Sequence, residues 1–122
     1  MIGEVEKAES LITDWETVPV ESIAQGIDRQ MVVGKNIMIC RLRFDAFVNT
    51  PVHSHPHEQM TIVEQGRVRF FVEGKERIAT AGDVLHFPSN IRHGATMLDR
   101  EVVLIDIFSP IRQDFLPGGQ TR

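Results

Sequence analysis

Across residues 29–109 the apolar positions fall in short runs broken by Gly, Pro, Asn and Asp. Met31, Val32 and Val33 stop at Gly34-Lys35-Asn36, a turn signal. In 37–44, Met38, Cys40, Leu42 and Phe44 share one face while Arg41 and Arg43 take the other. That period of two is what a half-buried strand produces. Further extended runs fall at 52–57, 61–64, 67–72, 76–80, 84–87, 93–97 and 101–108. The pattern predicts about eight to ten short strands, the spacing of an all-β sandwich or closed barrel. A mixed α+β domain would need a helical stripe, which 29–109 does not show. Residues 1–28 read as an N-terminal arm, with a turn or two of helix within 4–15 and extended chain at Thr17, Val18 and Pro19. Residues 110–122 carry Pro110, Pro117, Gly118 and Gly119 and read as a tail fading into disorder. The 29–109 core and its two flanks make a single domain over 1–122.

Charge and cysteine content narrow the function. Thirteen Lys+Arg against seventeen Asp+Glu give a net charge of −4, and no Lys/Arg cluster offsets it. Non-specific binding to nucleic acid or an anionic membrane is therefore not expected, whereas a local basic group remains free to hold a small acid. Cys40 is the sole cysteine, which excludes an internal disulfide and a cysteine-based metal centre. The opening Met1-Ile2-Gly3-Glu4 lacks the basic and apolar stretches of a signal peptide. No apolar run approaches the roughly 18 residues of a membrane helix. The expectation is a cytoplasmic protein.

The chemistry concentrates in Pro51-Val52-His53-Ser54-His55-Pro56-His57-Glu58-Gln59. On an extended chain, His53, His55, His57 and Gln59 point the same way. Imidazoles spaced roughly 7 Å along a strand can lean onto one ion. The alternative is a solvated histidine-rich loop. His93, opening another short strand, adds a ligand from a second segment, which a rigid first-row metal centre needs. His86 shares the parity of Val84 and reads as structural or pocket-lining.

With these residues in place the chain resembles a small cupin, the double-stranded β-helix or jelly-roll barrel. The family's first motif is Gly, five residues, His-x-His, three or four residues, Glu, six residues, Gly. Here His53, His55, Gln59 and Gly66 fit it, with Phe47 at the leading glycine. The second motif is matched by Gly82, Pro88, Asn90 and His93, with Asn90 for its second glycine and Met97 for its final Asn. Asparagine tolerates a left-handed backbone better than most residues, so a turn at Asn90 remains reasonable. The resemblance implies that His53, His55, Gln59 and His93 bind one divalent ion, with Mn, Fe, Ni and Zn all compatible. Glutamine supplies a neutral oxygen where most members have glutamate. The ion then keeps its full charge toward an anionic ligand, and an iron oxygenase with its carboxylate ligand is disfavoured. His57 is either a mouth residue or an alternative ligand.

Asp106 stands in the apolar strand Ile105-Asp106-Ile107-Phe108, and a carboxylate there is costly unless it is paired, functional, or on an outward face. Arg112, Arg92, Arg41, Arg43 and Arg67 are candidates for holding a carboxylate. Of these, Arg41 and Arg43 face solvent or a partner, because Leu42 and Phe44 claim the core. The run 106–115 is similar to the signature Asp-x-Phe-Ser-Pro-x-Arg-x-Asp-Phe of the KdgF or pectin-degradation cupins. That resemblance implies conversion of 4,5-unsaturated monouronates, released by pectin and alginate lyases, to the linear keto form. It casts Asp106 as acid/base, Arg112 as the carboxylate clamp and Phe108 as a pocket wall; His57 and Arg92 are further candidates for the substrate pocket. The competing functions are another small-acid metal cupin, a dioxygenase or decarboxylase, and a non-enzymatic anion-binding cupin. A homodimer is expected, because 37–44 carries apolar residues on both faces, Ile37 and Ile39 opposite Met38 and Cys40.

Overall fold

A computed structural model describes residues 12–118. Ten strands follow in order: β1 (Glu21–Ala24), β2 (Ile27–Val33), β3 (Met38–Phe44), β4 (Asn49–His53), β5 (Glu58–Gln65), β6 (Arg67–Val72), β7 (Lys75–Thr80), β8 (Val84–Phe87), β9 (His93–Met97) and β10 (Val102–Ser109). They build a six-stranded sheet, β1-β2-β3-β10-β5-β8, and a four-stranded sheet, β4-β9-β6-β7. Every pairing is antiparallel. The chain is all-β, as the strand spacing predicts, and its two sheets form the jelly roll that the resemblance implies.

Strand alternation decides what goes inside. On β3, Met38, Cys40 and Phe44 are buried. Arg41 and Arg43 face out, Arg41 to Glu64 at 3.0 Å and Arg43 to Asp28, Asp45 and Glu101 at 2.9–3.0 Å. β10 runs between β3 and β5, which sets Leu104, Asp106 and Phe108 opposite Leu42, Cys40 and Met38. Phe44, Val63, Val68, Phe70, Phe87 and Met97 form the main core. Burying each such side chain contributes about 1.5–3 kcal/mol, and this is what holds the two sheets face to face. A smaller cluster of Met38, Cys40 and Phe108 caps one end. Burial first, and the nearby Asp106 charge second, push the Cys40 thiol up to about 12, which leaves it an inert core residue.

Several expectations change. The 52–57 run is not one strand: β4 ends at His53 and β5 begins at Glu58. Pro56, lacking an N–H, sits in the bend where the chain leaves the four-stranded sheet for the six-stranded one. Residues 21–28, assigned to the arm, pair in the sheet as β1 and the start of β2. Thr17 lies in a turn, donating its N–H to the Asp14 carbonyl, rather than in extended chain. Most of the 4–15 helix expectation falls outside the described residues. The tail is ordered as far as it is described: Ile111, Phe115 and Leu116 pack on the Met38–Phe108 cluster, with a 3-10 turn at Gln113–Phe115.

The motif departures have a backbone reading. Phe47 and Asn90, which replace motif glycines, adopt φ of 64° and 67°. Both sites retain the left-handed conformation for which glycine is suited. Phe47 does so at a cost on the order of 1–2 kcal/mol, with its ring 71% exposed.

Candidate functional site

The site starts where β4 meets β9. Thr50 pairs with Ala95 and His53 with His93, so Pro51 and Val52 together stand opposite Gly94. A Cβ on Gly94 would lie 3.0 Å from the Val52 Cα and N and 3.1 Å from the Thr50 carbonyl oxygen. Glycine leaves room for this bulge, where any side chain would press the facing backbone aside by a few tenths of an ångström, and the bulge turns His53 onto His93, ring centroids 4.5 Å apart. His55 arrives by a different route. The bend at 54–57 is tied to the β8–β9 turn by Asn90, which donates its N–H to the His55 carbonyl at 2.8 Å. One ring nitrogen each from His53, His55 and His93 lies within 4.8 Å of the others.

Backbone carbonyls fix the tautomers of these rings. His53 Nδ1 faces the Pro51 carbonyl at 2.9 Å, His55 Nδ1 that of His57 at 3.0 Å, and His93 Nδ1 that of Ile91 at 2.9 Å. A carbonyl only accepts, so each Nδ1 carries the proton and each neutral ring keeps a bare lone pair on Nε2. Among the described residues the buried His93 Nε2 has no hydrogen-bond partner. His55 Nε2 lies 3.0 Å from Gln59 Oε1. A hydrogen bond there requires a doubly protonated His55, yet burial, helped by Arg112 and His93, lowers its pKa to about 4. Burial lowers His93 as well. Neutral imidazole lone pairs converging on an amide oxygen are what a divalent cation satisfies, so the three-histidine cluster fits a metal ion. Phe87 stacks on His93 at 4.6 Å and Phe108 meets His55 edge-on at 5.8 Å, which restrains both rings.

Asp106 is on the inward face of β10, opposite Cys40 and Thr61. Burial pushes its pKa up to about 6, against hydrogen bonds from Thr61 and Gln59 and the charge of Arg112. It shares a cavity of about 210 Å³ with His53 and His93, whose other walls, such as Phe70 and Leu104, are mostly apolar. Arg112 lies beside this cavity, its guanidinium 4.2 Å from the ring centre of Phe115, which lines it, and 5.2 Å from that of Phe108. His57 is buried, its ring 5.5 Å from that of His55, and stands outside the three-histidine cluster. Arg92 is exposed, and its backbone N–H is donated to Glu73 at 2.9 Å. His86 is not pocket-lining: it faces outward and pairs with Glu58 at 2.6 Å.

One residue of the site is absent from the sequence reading. Thr61 links Gln59 to Asp106 and is 1% exposed, but a threonine in a strand carries no chemical signal of its own. Asp114 and Phe115 enter that reading as the last two positions of the 106–115 signature, without a role; the structure sets both against Arg112, and the apolar Ile111, Phe115 and Leu116 are the sign that their segment packs.

Residues 46–108 match the cupin domain family model. The pectin degradation protein KdgF of Dickeya dadantii is 35% identical over 104 residues, covering 83% of this chain and 94% of that protein. An RmlC-like cupin from Shewanella frigidimarina superposes with a TM-score of 0.82 at 34% identity, over 86% of this chain and 95% of that one. KdgF from a Halomonas species gives 0.80 at 30% identity, over 84% and 96%.

Proposed function

Because the chain belongs to the cupin family, in its pectin-degradation (KdgF) branch, we propose that it opens 4,5-unsaturated monouronates to their linear keto form. The ligands are His53, His55, Gln59 and His93, around one divalent first-row ion, whether Mn, Fe, Ni or Zn. The observation that carries this reading is that Asp106 lines the same cavity as two of the converging histidines, His53 and His93.

The reaction is an isomerisation. As the C1 hydroxyl loses its proton, the C1–O5 bond breaks, C1 becomes an aldehyde, and O5 is left as an enolate that becomes the ketone when C4 takes up a proton. A bound divalent ion supplies positive charge against the anionic oxygen. Asp106 takes the proton from the C1 hydroxyl and returns one to C4, and a carboxyl held near 6 is suited to both directions. Arg112 holds the substrate carboxylate, and the edge of Phe108 shapes the wall beside His55. His57 lies against His55, but neither His57 nor Arg92 lines this cavity. The enzyme on this reading is a cytoplasmic homodimer acting on a soluble sugar acid.

The test follows the loss of ultraviolet absorbance of an unsaturated monouronate with metal-loaded protein, metal-free protein and buffer alone. Acceleration is expected with the loaded protein. A rate equal to buffer ends this reading.

A further inference from the structure

Glutamine as a metal ligand raises a difficulty that glutamate does not. A carboxylate presents an oxygen whichever way it turns, whereas an amide turned by 180° presents an NH₂ that repels a cation. Something must therefore set the amide of Gln59. We propose that Thr61 is the residue that does so, holding the nitrogen of Gln59 away from the histidine cluster and its oxygen toward it, with Asp106 anchoring the direction of the chain. This rests on the metal reading above and adds a positioning residue to it.

The direction follows from counting protons. Thr61 Oγ1 lies 2.7 Å from Asp106 Oδ1 and donates its single proton to that carboxylate, which only accepts when ionised. With the proton committed, Oγ1 can serve its other neighbour only as an acceptor. That neighbour is Gln59 Nε2, at 2.9 Å, which must therefore be the nitrogen end, and the bond that Gln59 also makes to the Asp106 carboxylate, which can only accept, sets the same direction. The oxygen end is left facing His55 Nε2 at 3.0 Å. Thr61 and Gln59 are 1% and 7% exposed, so water does not compete for these bonds. Strand geometry makes the relay possible, since Gln59 and Thr61 are alternate residues on the inward face of β5 and Thr61 is directly opposite Asp106 on β10. The same chain explains why glutamine suits this position. A glutamate at 59 would set a second buried carboxylate against a hydroxyl whose proton Asp106 already holds.

The experiment measures Co²⁺ affinity of the folded, metal-stripped chain by competition with a chelator. Thr61→Val, close in shape but without the hydroxyl, is expected to bind Co²⁺ about 10–100-fold more weakly than wild type. Thr61→Ser, which restores the hydroxyl, is expected within about threefold of wild type. In a Gln59→Ala background, Thr61→Val is expected to cost nothing further, because the residue it positions is gone. A merely structural role would give the same loss in both backgrounds. Wild-type affinity in Thr61→Val, or a full loss persisting in Gln59→Ala, overturns the role of Thr61. If Thr61→Val does not fold, Thr61→Ala carries the same comparison. Failure of the wild type itself to bind Co²⁺ overturns instead the metal reading on which this proposal stands.

Discussion

Asp114 holds one whole edge of the Arg112 guanidinium, accepting from Nε at 3.0 Å and from Nη2 at 2.8 Å. Both side chains are nearly buried, at 12% and 14% exposed, and the Arg112 hydrogen bond draws the Asp114 carboxyl below its ordinary range. A fork already engaged by a carboxylate, and stacked on Phe115, is fixed in orientation before any ligand arrives.

Arg112 should then act on binding more than on turnover. Arg112→Ala is expected to raise KM about 10–100-fold, the value of one hydrogen bond between charged groups, with kcat much less affected. Arg112→Lys should not restore KM, because an ammonium can neither meet Asp114 along two bonds nor lie flat on the ring. Steady-state kinetics on the unsaturated monouronate decide it. A fall in kcat with KM unchanged contradicts the clamp.

Asp106→Asn separates proton transfer from structure. Its amide keeps an oxygen to accept from Thr61, so fold and metal content should persist. Turnover should drop about 10²–10⁴-fold, the usual contribution of a general acid/base. Full activity in this variant would remove Asp106 from the chemistry.

Metal and protons should compete for the same nitrogens. Stripping the ion is expected to lower the melting temperature by on the order of 10 °C, and elemental analysis of gently purified protein should find a first-row metal. In the stripped protein, His55 and His93 have folded pKa values below the unfolded one, so the unfolded chain binds more protons and stability falls as the pH drops from about 6.5 toward 4. Asp106 has the opposite sign: raised to about 6, it favours the folded state in acid and loses that contribution as the pH rises from about 4 to 6. Asp106→Asn should therefore melt with a steeper loss between pH 6.5 and 4.5 than wild type. Thermal melts across that range check the sign.

The outward face of the six-stranded sheet suits a second copy of the chain. Register places Val32, Ile39, Ile107 and Met60 side by side across β2, β3, β10 and β5, the first three half-buried and Met60 exposed, as are Val33, Ile37 and Val84. Sedimentation is expected to give twice the 13.8 kDa of one chain, and Met60→Glu should shift the balance to monomer. A 13.8 kDa species for wild type at micromolar concentration contradicts the dimer.

The sequence carried the barrel and its histidines because both leave periodic or compositional marks. The alternation on β3 reads directly as buried Met38 and Cys40 against outward Arg41 and Arg43. The spacing of His53, His55 and His93 anticipated their meeting, although for a different reason than a straight strand. A two-residue period cannot tell a strand from a bend that happens to return its side chains to one place, which is how His55 reaches the cluster. The parity of His86 left two alternatives open because Leu85 and Phe87, the alternate set, are equally apolar; they are the ones turned inward, which leaves His86 a structural partner of Glu58 outside. Thr61 stayed invisible and Asp114 was only a position in a signature, because their importance lies in which neighbour takes their bonds, and that is settled only when β5, β10 and the C-terminal segment come together.

The crowding at Gly94 bears on any attempt to move this centre elsewhere. Copying the four proposed ligands onto another barrel would reproduce the donor types without the offset that aims His53 at His93. A graft would have to carry Pro51, Val52 and Gly94 as one cassette, since the two-against-one mismatch in the ladder sets the aim. The transplantable unit is thus a defect in a β-ladder, with the histidines as its passengers.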